Sequence, residues 1–279
     1  MSPADPTVPP PEGPRAGPGR SRDGSVRYDG DHPGFPGDLV ADLAGLSGLA
    51  PGSRVLEIGC GTGRLSVPLA RLGVSLLALE MVPGAAAVAR RRLAGFPHAE
   101  VAVTTFERWR STESFDAVVC PLAFGALDPA RRLDLCADRL RLPGAGRIGG
   151  TLAVVDTRPV AGGDDLVLRE LRECFGRWAP STRCESVPPP EEDLPTSHPE
   201  LSVTARFSSS VRSRRYVWER SSTAAEHLDL LRLRAGPDAP PGPVPVWLQD
   251  CFEAVVASRD SGRVTQQYAT DLRVATRAR

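Results

Sequence analysis

The sequence predicts one α/β domain with a doubly wound, mostly parallel sheet. Three observations support this fold class: strands and helices alternate through most of the chain, each strand in that part is a short apolar run, and two late strands break the alternation. The 279 residues are enough for one large domain. We interpret residues 1–26, rich in proline and glycine, as a disordered tail and residues 27–279 as a single domain.

The alternation begins with a short apolar strand over 53–59 that ends in glycines. The elements predicted after it are a helix (62–72, bent by Pro68), a strand (74–80), a helix (83–93), two strands (99–104 and 115–122), a helix (128–142), a strand (150–156) and a helix (164–178). Because crossover helices return the chain to the same edge, such units build a parallel sheet with helices on both faces.

The last third of the chain departs from this alternation. Strands are predicted over 211–220 and 262–277, and we expect them to pair antiparallel at the end of the sheet. Between them lies a helical excursion over 221–260, which begins at the capping box Thr223–Glu226. A second helix of this excursion covers 246–258.

Charge and composition restrict the class of partner. The chain has 34 basic and 34 acidic residues, and this balance argues against a partner held mainly by phosphate attraction, such as nucleic acid or an anionic membrane. No stretch approaches the roughly 20 apolar residues of a membrane span. The six cysteines form no CxxC pair, so we expect reduced thiols in a cytoplasmic protein. No cluster of residues has metal-ligand spacing.

The most specific motif is a glycine loop between the first strand and the first helix. Gly59, Gly61 and Gly63 stand at alternate positions, and Glu57 precedes them by two residues. Glycines at this junction let a ligand approach the backbone and the N–H groups of the helix start. The spacing differs from the dinucleotide fingerprint GxGxxG and lacks the lysine of a phosphate-binding P-loop. Glu80 ends the second strand beside this loop and can accept hydrogen bonds from a ribose diol, so the pair predicts a nucleoside site.

On these residues the sequence resembles the class I S-adenosylmethionine-dependent methyltransferases. The resemblance rests on VLEIGCGTG (55–63), Glu80, TTFERW (104–109) and FDAVVCPLAF (115–124), and it covers roughly residues 28–156. It implies a Rossmann-like methyltransferase sheet that binds S-adenosyl-L-methionine as its cofactor. It also implies an N-terminal cap over 27–50 and a cofactor-binding core over 51–183.

The resemblance also implies the cofactor-binding residues. The glycine loop would wrap the methionine part of the cofactor, with Glu57 near its ammonium group, while Met81 would pack on adenine. Thr105 stands where an acid often contacts the adenine amino group, and the neighbouring Glu107 is an alternative. The residues expected to bind the cofactor are Glu57, Gly59, Cys60, Gly61, Gly63, Glu80, Met81, Thr105, Phe106 and Pro121.

The expected activity is methyl transfer to an oxygen or nitrogen atom, with carbon as a further option, of a small-molecule metabolite. Related small-molecule methyltransferase-like proteins have an arginine at His32, a tyrosine at Phe35 and often a His-Trp pair at Gly125 and Ala126. These departures motivate an alternative, a non-catalytic binding or regulatory protein with the same fold. A nicotinamide-dependent oxidoreductase is a further alternative, although the spacing of the glycines counts against it.

The sequence assigns no catalytic residue. Methyl transfer needs a dedicated base only when the acceptor must lose a proton, because the cofactor supplies the reactive group. His227, His32 and Asp156 are the candidates for a base or substrate contact, each weighed against a packing, surface or capping role. Cys60 is interpreted as a small residue required by the loop rather than as a nucleophile.

Overall fold

The computed structural model describes residues 35–144, 146–181, 188–195, 200–201, 205–208, 210–235, 238–259 and 261–278. The predicted disordered tail over 1–26 and the candidate residue His32 lie outside these ranges, so the interpretations placed on them stay predictions.

Seven strands of the described residues form one sheet in the order β3-β2-β1-β4-β5-β7-β6. The strands are β1 (Arg54–Ile58), β2 (Ser75–Glu80), β3 (Ala99–Val103), β4 (Ala117–Pro121), β5 (Thr151–Gly163), β6 (Arg212–Ser222) and β7 (Val264–Thr276). Strands β1 to β5 pair in parallel, whereas β7 is antiparallel to both β5 and β6. The predicted fold class, a mostly parallel Rossmann-like sheet with an antiparallel C-terminal strand, is confirmed.

Helices cover both faces of the sheet. They are α1 (Leu39–Ser47), α2 (Ser66–Arg71), α3 (Pro83–Leu93), α4 (Arg132–Arg139), α5 (Asp165–Trp178), α6 (Ala224–Ala235) and α7 (Val246–Ala257). Buried residues of α1, α2 and α3 share one core cluster with the sheet, and those of α4 share another. Helices α5, α6 and α7 pack together in a third cluster, to which β7 contributes Val264.

Two helices are shorter than the sequence predicts. Residues 61–65 form turns, so α2 begins later than the predicted 62–72, and Pro68 therefore lies in its first turn. A proline is tolerated there because the N–H that it lacks would have no partner within the helix. Helix α4 is shorter than the predicted 128–142 because Asp128 instead forms a turn, in which its carboxylate accepts the backbone N–H two residues on.

Strand β5 is longer than the predicted 150–156. Its pairing with β4 ends at Pro121 opposite Val155, but β5 continues to Gly163 along β7 alone. Pro159 is compatible with this extension because the strand has lost its neighbour on one side there. Asp156, which we expected at the end of the strand, therefore lies in its middle.

The predicted end of the chain agrees with the structure. Strands β6 and β7 form an antiparallel pair, and α6 and α7 lie between them in the chain. The capping box is formed: the Thr223 N–H donates to Glu226 Oε2 at 2.8 Å, and the Glu226 N–H donates to Thr223 Oγ1 at 3.3 Å.

The expectation of six reduced thiols is wrong. Cys174 on α5 and Cys251 on α7 are joined by a disulfide. The two residues are 77 apart in sequence, but α5 and α7 pack against each other and bring them together. Cys60, Cys120 and Cys136 are free and buried. The disulfide removes the cysteine argument for a cytoplasmic location. Within the described part of the chain, no helix combines the length and the apolar character that crossing a membrane requires.

Candidate cofactor site

The glycine loop joins the end of β1 to α2 and takes a backbone path that favours glycine. Gly59, Gly61 and Gly63 have φ angles of +74°, +57° and +87°. Residues with a side chain rarely adopt these angles, because the Cβ atom comes too close to the following carbonyl group. The tight turn that the spacing predicts is therefore present.

Two of these glycines also allow close packing. A Cβ atom on Gly59 would lie 2.6 Å from the Cβ of Ala123, which follows β4. A Cβ atom on Gly63 would lie 3.2 Å from Cα and Cβ of Ala89 on α3. The loop is thus held closely between the end of β4 and α3, with no room for a side chain at Gly59.

Backbone hydrogen bonds and one carboxylate fix the loop to β2. The Gly59 and Cys60 N–H groups both donate to the Leu79 carbonyl, at 2.8 and 3.0 Å. Glu80 accepts the Gly61 N–H on Oε2 at 2.8 Å and the Val82 N–H on Oε1 at 2.7 Å. Glu80 therefore joins the glycine loop to the start of α3. Each oxygen retains a lone pair that can accept a hydroxyl group.

Glu57 is a fully buried carboxylate at the end of β1. Its Oε2 accepts the Ser66 hydroxyl at 2.6 Å, whereas its Oε1 has no hydrogen-bond partner among the described residues. Burial raises the pKa of Glu57 to about 7; the hydrogen bond from Ser66 opposes this rise and the negative charge of Glu80 adds to it. A buried acceptor without a partner calls for an explanation, and a cationic ligand group beside it would supply the missing donor.

A cavity opens beside the loop and Glu57. Its walls come from the loop, from the start of α2, from the end of β4 and from Phe35 at the start of the described chain. The lining residues are Phe35, Glu57, Gly59, Cys60, Gly61, Thr62, Arg64, Leu65, Pro121 and Leu122. Leu122 has a φ angle of +59° and is the only non-glycine residue with positive φ among those the structure describes. Strained residues of this kind cluster at ligand sites.

Known proteins share the glycine loop and the sheet around it. Residues 55–143, which contain the glycine loop, Glu80 and β4, match the family model described as "Methyltransferase domain". This part of the chain is therefore similar to a methyltransferase domain. The chain is 36% identical over 119 residues to a ubiquinone biosynthesis O-methyltransferase of Xanthomonas campestris; the match covers 41% of this chain and 46% of that protein. The chain thus spans about half the length of the curated relatives that it matches.

Solved structures show that the methyltransferase fold extends over most of the chain. A SAM-dependent methyltransferase from Thiobacillus denitrificans, in complex with S-adenosyl-L-homocysteine, has a TM-score of 0.51 and 15% identity over 91% of this chain and 98% of its own. One from Geobacter sulfurreducens, in complex with the same molecule, has a TM-score of 0.50 and 16% identity over the same shares.

The fold brings some of the predicted residues together at the cavity. Five of the ten line it: Glu57, Gly59, Cys60, Gly61 and Pro121. Gly63 and Glu80 support the loop from outside the cavity.

The three residues predicted to contact adenine, Met81, Thr105 and Phe106, do not line this cavity. Met81 follows β2 and is 55% exposed, so its side chain is available to a ligand. Thr105 is half-buried, and its hydroxyl accepts the Arg108 N–H at 3.3 Å. Phe106 is buried among residues such as Leu79, which makes it a part of the core. The roles of these three residues stay predictions.

Sequence reasoning missed three residues that line the cavity: Thr62, Arg64 and Leu65. Thr62 lies between two of the glycines, and Arg64 and Leu65 follow the last of them, so their place beside a ligand could have been inferred from the motif. Leu122, which follows Pro121 at the end of β4, also lines the cavity, but its positive φ could not have been predicted, because leucine carries no signal for that conformation.

The two candidate bases within the described residues, His227 and Asp156, do not line the cavity. His227 is buried in α6, with its ring centroid 6.5 Å from that of Phe252 on α7, so it packs inside the helical unit. Asp156 Oδ2 lies 3.5 Å from a guanidinium nitrogen of the buried Arg273. Burial, together with the negative charges of Glu57 and Glu80, raises the pKa of the Cys60 thiol well above its usual value. Cys60 therefore stays protonated and is no nucleophile.

Proposed function

We propose that this protein transfers a methyl group from S-adenosyl-L-methionine to an oxygen, nitrogen or carbon atom of a small-molecule metabolite. The observation that carries the proposal is the buried Glu57 Oε1, which has no partner among the described residues and stands beside the glycine loop. An amino-acid ammonium group next to this oxygen would supply the hydrogen bond and the opposite charge that the carboxylate lacks.

The remaining residues fit the rest of the same cofactor. The glycine loop leaves room for a ligand against its backbone, and Glu80 has lone pairs for a ribose diol. Met81, exposed at the end of β2, offers an apolar surface for adenine, with Thr105 and Phe106 proposed at its far side. When bound, the cofactor supplies a methyl group activated by a positively charged sulfur. The chain then has to orient the acceptor and exclude water.

An oxygen acceptor is the first to test. Two curated relatives are named as O-methyltransferases. One is the ubiquinone biosynthesis O-methyltransferase described above, and the other is a protein-L-isoaspartate O-methyltransferase of Gloeobacter violaceus, 33% identical over 88 residues. These matches cover 41% and 30% of this chain, so they support the atom type without supporting a particular acceptor. The zero net charge favours a small molecule over a nucleic acid. A cytoplasmic location is proposed with it and is testable by cell fractionation.

The deciding experiment is calorimetric titration of the full chain with S-adenosylmethionine, S-adenosylhomocysteine and NAD. Micromolar binding of the first two with no binding of NAD supports the proposal, and an acceptor screen that follows S-adenosylhomocysteine release completes it. Binding without turnover of any acceptor would favour the non-catalytic alternative. NAD binding alone would favour an oxidoreductase, and no binding at all would contradict the cofactor assignment.

Replacing Glu80 tests the ribose assignment. We expect Glu80→Ala to weaken S-adenosylhomocysteine binding by about 1–3 kcal/mol, roughly 5- to 150-fold, because charge-assisted hydrogen bonds to the ligand and the hydrogen bond that holds Gly61 are both lost. Titration calorimetry measures the change. Glu100→Ala, an exposed carboxylate on β3, is the matched control and should leave the affinity unchanged. An unaltered affinity in Glu80→Ala would remove Glu80 from the site.

A further inference from the structure

A second cavity lies in the unit formed by α5, α6 and α7. Its walls come from α6, α7 and the segment between them, and its volume is about 520 Å³. Pockets that bind small molecules usually measure about 300–1,000 Å³. This cavity, here termed the helical cavity, shares no lining residue with the candidate cofactor cavity. It is therefore a candidate for a separate ligand site.

Part of the helical cavity is apolar. Leu228 on α6 and Phe252 on α7 line it and also belong to the core cluster of this unit, and the exposed Ala225 extends the lining towards solvent. The disulfide between Cys174 and Cys251 attaches α7 to α5 at the residue before Phe252. Core packing and this covalent link both hold the apolar lining in place, so a ligand does not have to order it.

The charge of the helical cavity is predominantly negative. Asp229 lines it from α6 and Glu253 from α7, and neither carboxylate has a hydrogen bond or an ion pair among the described residues. Arg232 also lines it, but its Nη2–H donates to the Gly242 carbonyl at 3.2 Å and its guanidinium carbon lies 5.7 Å from the centroid of the Trp178 ring. Neither of these partners lines the cavity, so Arg232 is engaged at its edge and the two carboxylates outnumber it.

A side-chain amide adds a further acceptor. Gln249 lines the helical cavity, and its Nε2–H donates to the Val244 carbonyl at 3.2 Å. That bond occupies one donor, while the Gln249 Oε1 keeps its lone pairs. A ligand ammonium group supplies three donors and a positive charge to such acceptors. An anion would be repelled by both carboxylates, and Arg232 already has other partners.

We propose that the helical cavity is a second ligand site and that it binds a small primary amine with an apolar body. The ammonium group lies between Asp229 and Glu253, and the hydrocarbon part packs on Leu228 and Phe252. This proposal goes beyond the proposed function, because it uses none of the residues assigned to the cofactor.

The test is a saturation-transfer NMR titration of the full chain at pH 7 with four probes. Phenethylamine carries an ammonium group and a ring, 2-phenylethanol has a hydroxyl in place of the ammonium group, 3-phenylpropanoate has a carboxylate there, and ethylamine lacks the ring. We expect phenethylamine to bind at least about fivefold more tightly than 2-phenylethanol, because two partly solvated ion pairs contribute a few-fold each. It should bind at least about tenfold more tightly than ethylamine, since the ring buries apolar surface. Among the probes with a ring, 3-phenylpropanoate should bind most weakly.

Equal or weaker binding of phenethylamine relative to 2-phenylethanol or ethylamine overturns the proposal. Displacement of phenethylamine by S-adenosylhomocysteine would place the amine beside Glu57 and overturn it as well. Failure of S-adenosylhomocysteine to bind contradicts the proposed function alone, because the ranking of the four probes does not depend on it.

Variants of the two carboxylates locate the ammonium group. Asp229→Asn combined with Glu253→Gln should remove the preference for phenethylamine over 2-phenylethanol, and each single variant should lower it about two- to threefold. Asp250→Asn, which alters an exposed carboxylate on α7 outside the lining, is the control and should leave the preference unchanged. A preference that survives in the double variant overturns the assignment.

A substitution that fills the helical cavity locates the ring. Ala225→Trp adds bulk at an exposed position of the lining and should weaken phenethylamine binding at least about tenfold. Ala254→Trp, at an exposed position of α7 outside the lining, is the matched control. A melting temperature within about 3 °C of the unmodified protein shows that a variant is folded. Unaltered binding in a folded Ala225→Trp, or equal weakening in the control, contradicts the placement of the ring.

Discussion

Gly59→Ala is expected to reduce the affinity for S-adenosylhomocysteine by at least about 100-fold. Two costs combine at this position. A left-handed φ of +74° costs a residue with a side chain about 1–2 kcal/mol, and the new Cβ would lie 2.6 Å from the Cβ of Ala123. Relief of that overlap must move either the glycine loop or the segment after β4, and both line the cavity. The φ cost is present with and without ligand and lowers stability, whereas a displaced loop that loses about 3 kcal/mol of binding free energy lowers the affinity roughly 100-fold.

A second glycine separates the two costs. Gly48, at the C-terminal end of α1, has a similar φ of +66°, but a Cβ atom there would meet nothing within 4 Å. Gly48→Ala should therefore lower the melting temperature slightly and leave ligand affinity within about threefold. Titration calorimetry and thermal melts on both variants give the comparison. If Gly59→Ala binds S-adenosylhomocysteine as tightly as Gly48→Ala does, the loop is not held against the ligand as described.

The order of elements and the position of the glycine loop could be predicted because they depend on local signals. Apolar runs, glycine spacing and the Thr223–Glu226 capping box each report the conformation of their own segment. The second function of Glu80 was not predictable in this way. Its bonds to the Gly61 and Val82 N–H groups form only when the loop and α3 meet at the end of β2.

Errors in the sequence-based predictions arose where distant segments decide the outcome. Strand β5 extends past Asp156 because β7 supplies a partner there, and β7 lies more than 100 residues later in the chain. The pairing of Cys174 with Cys251 depends on the packing of α5 against α7, and no cysteine spacing signals it.

Glu57 is expected to make ligand binding and stability respond to pH in opposite directions. In the empty protein its pKa is raised from the usual 4.5 to about 7, mainly by burial. A ligand ammonium group favours the ionised carboxylate, so S-adenosylhomocysteine affinity should rise as pH increases through about 7. Glu57→Gln cannot ionise. Its affinity should be nearly independent of pH over this range and about 10- to 100-fold below that of the unmodified protein at pH 8.

The stability of the empty protein follows the other direction. Because the folded state holds the Glu57 proton more tightly than the unfolded state, the contribution of this group to stability is fully present below about pH 4.5 and is lost as pH rises to about 7. The loss is on the order of 3 kcal/mol, since each pKa unit corresponds to about 1.4 kcal/mol. Glu57→Gln should remove it, so that without ligand the variant is more stable than the unmodified protein at pH 8 although it binds more weakly.

Denaturant unfolding at pH 5 and pH 8, with and without S-adenosylhomocysteine, measures both effects on one sample. Glu100→Gln, an exposed carboxylate on β3, should change neither the stability nor the affinity and is the control. A Glu57→Gln variant that loses stability at pH 8 without ligand would show that the carboxylate is needed for folding itself. A variant that gains stability but binds as tightly as the unmodified protein would show that the free oxygen of Glu57 does not face the ligand. Only the opposed pair of changes fits a buried carboxylate whose missing partner is a cation on the ligand.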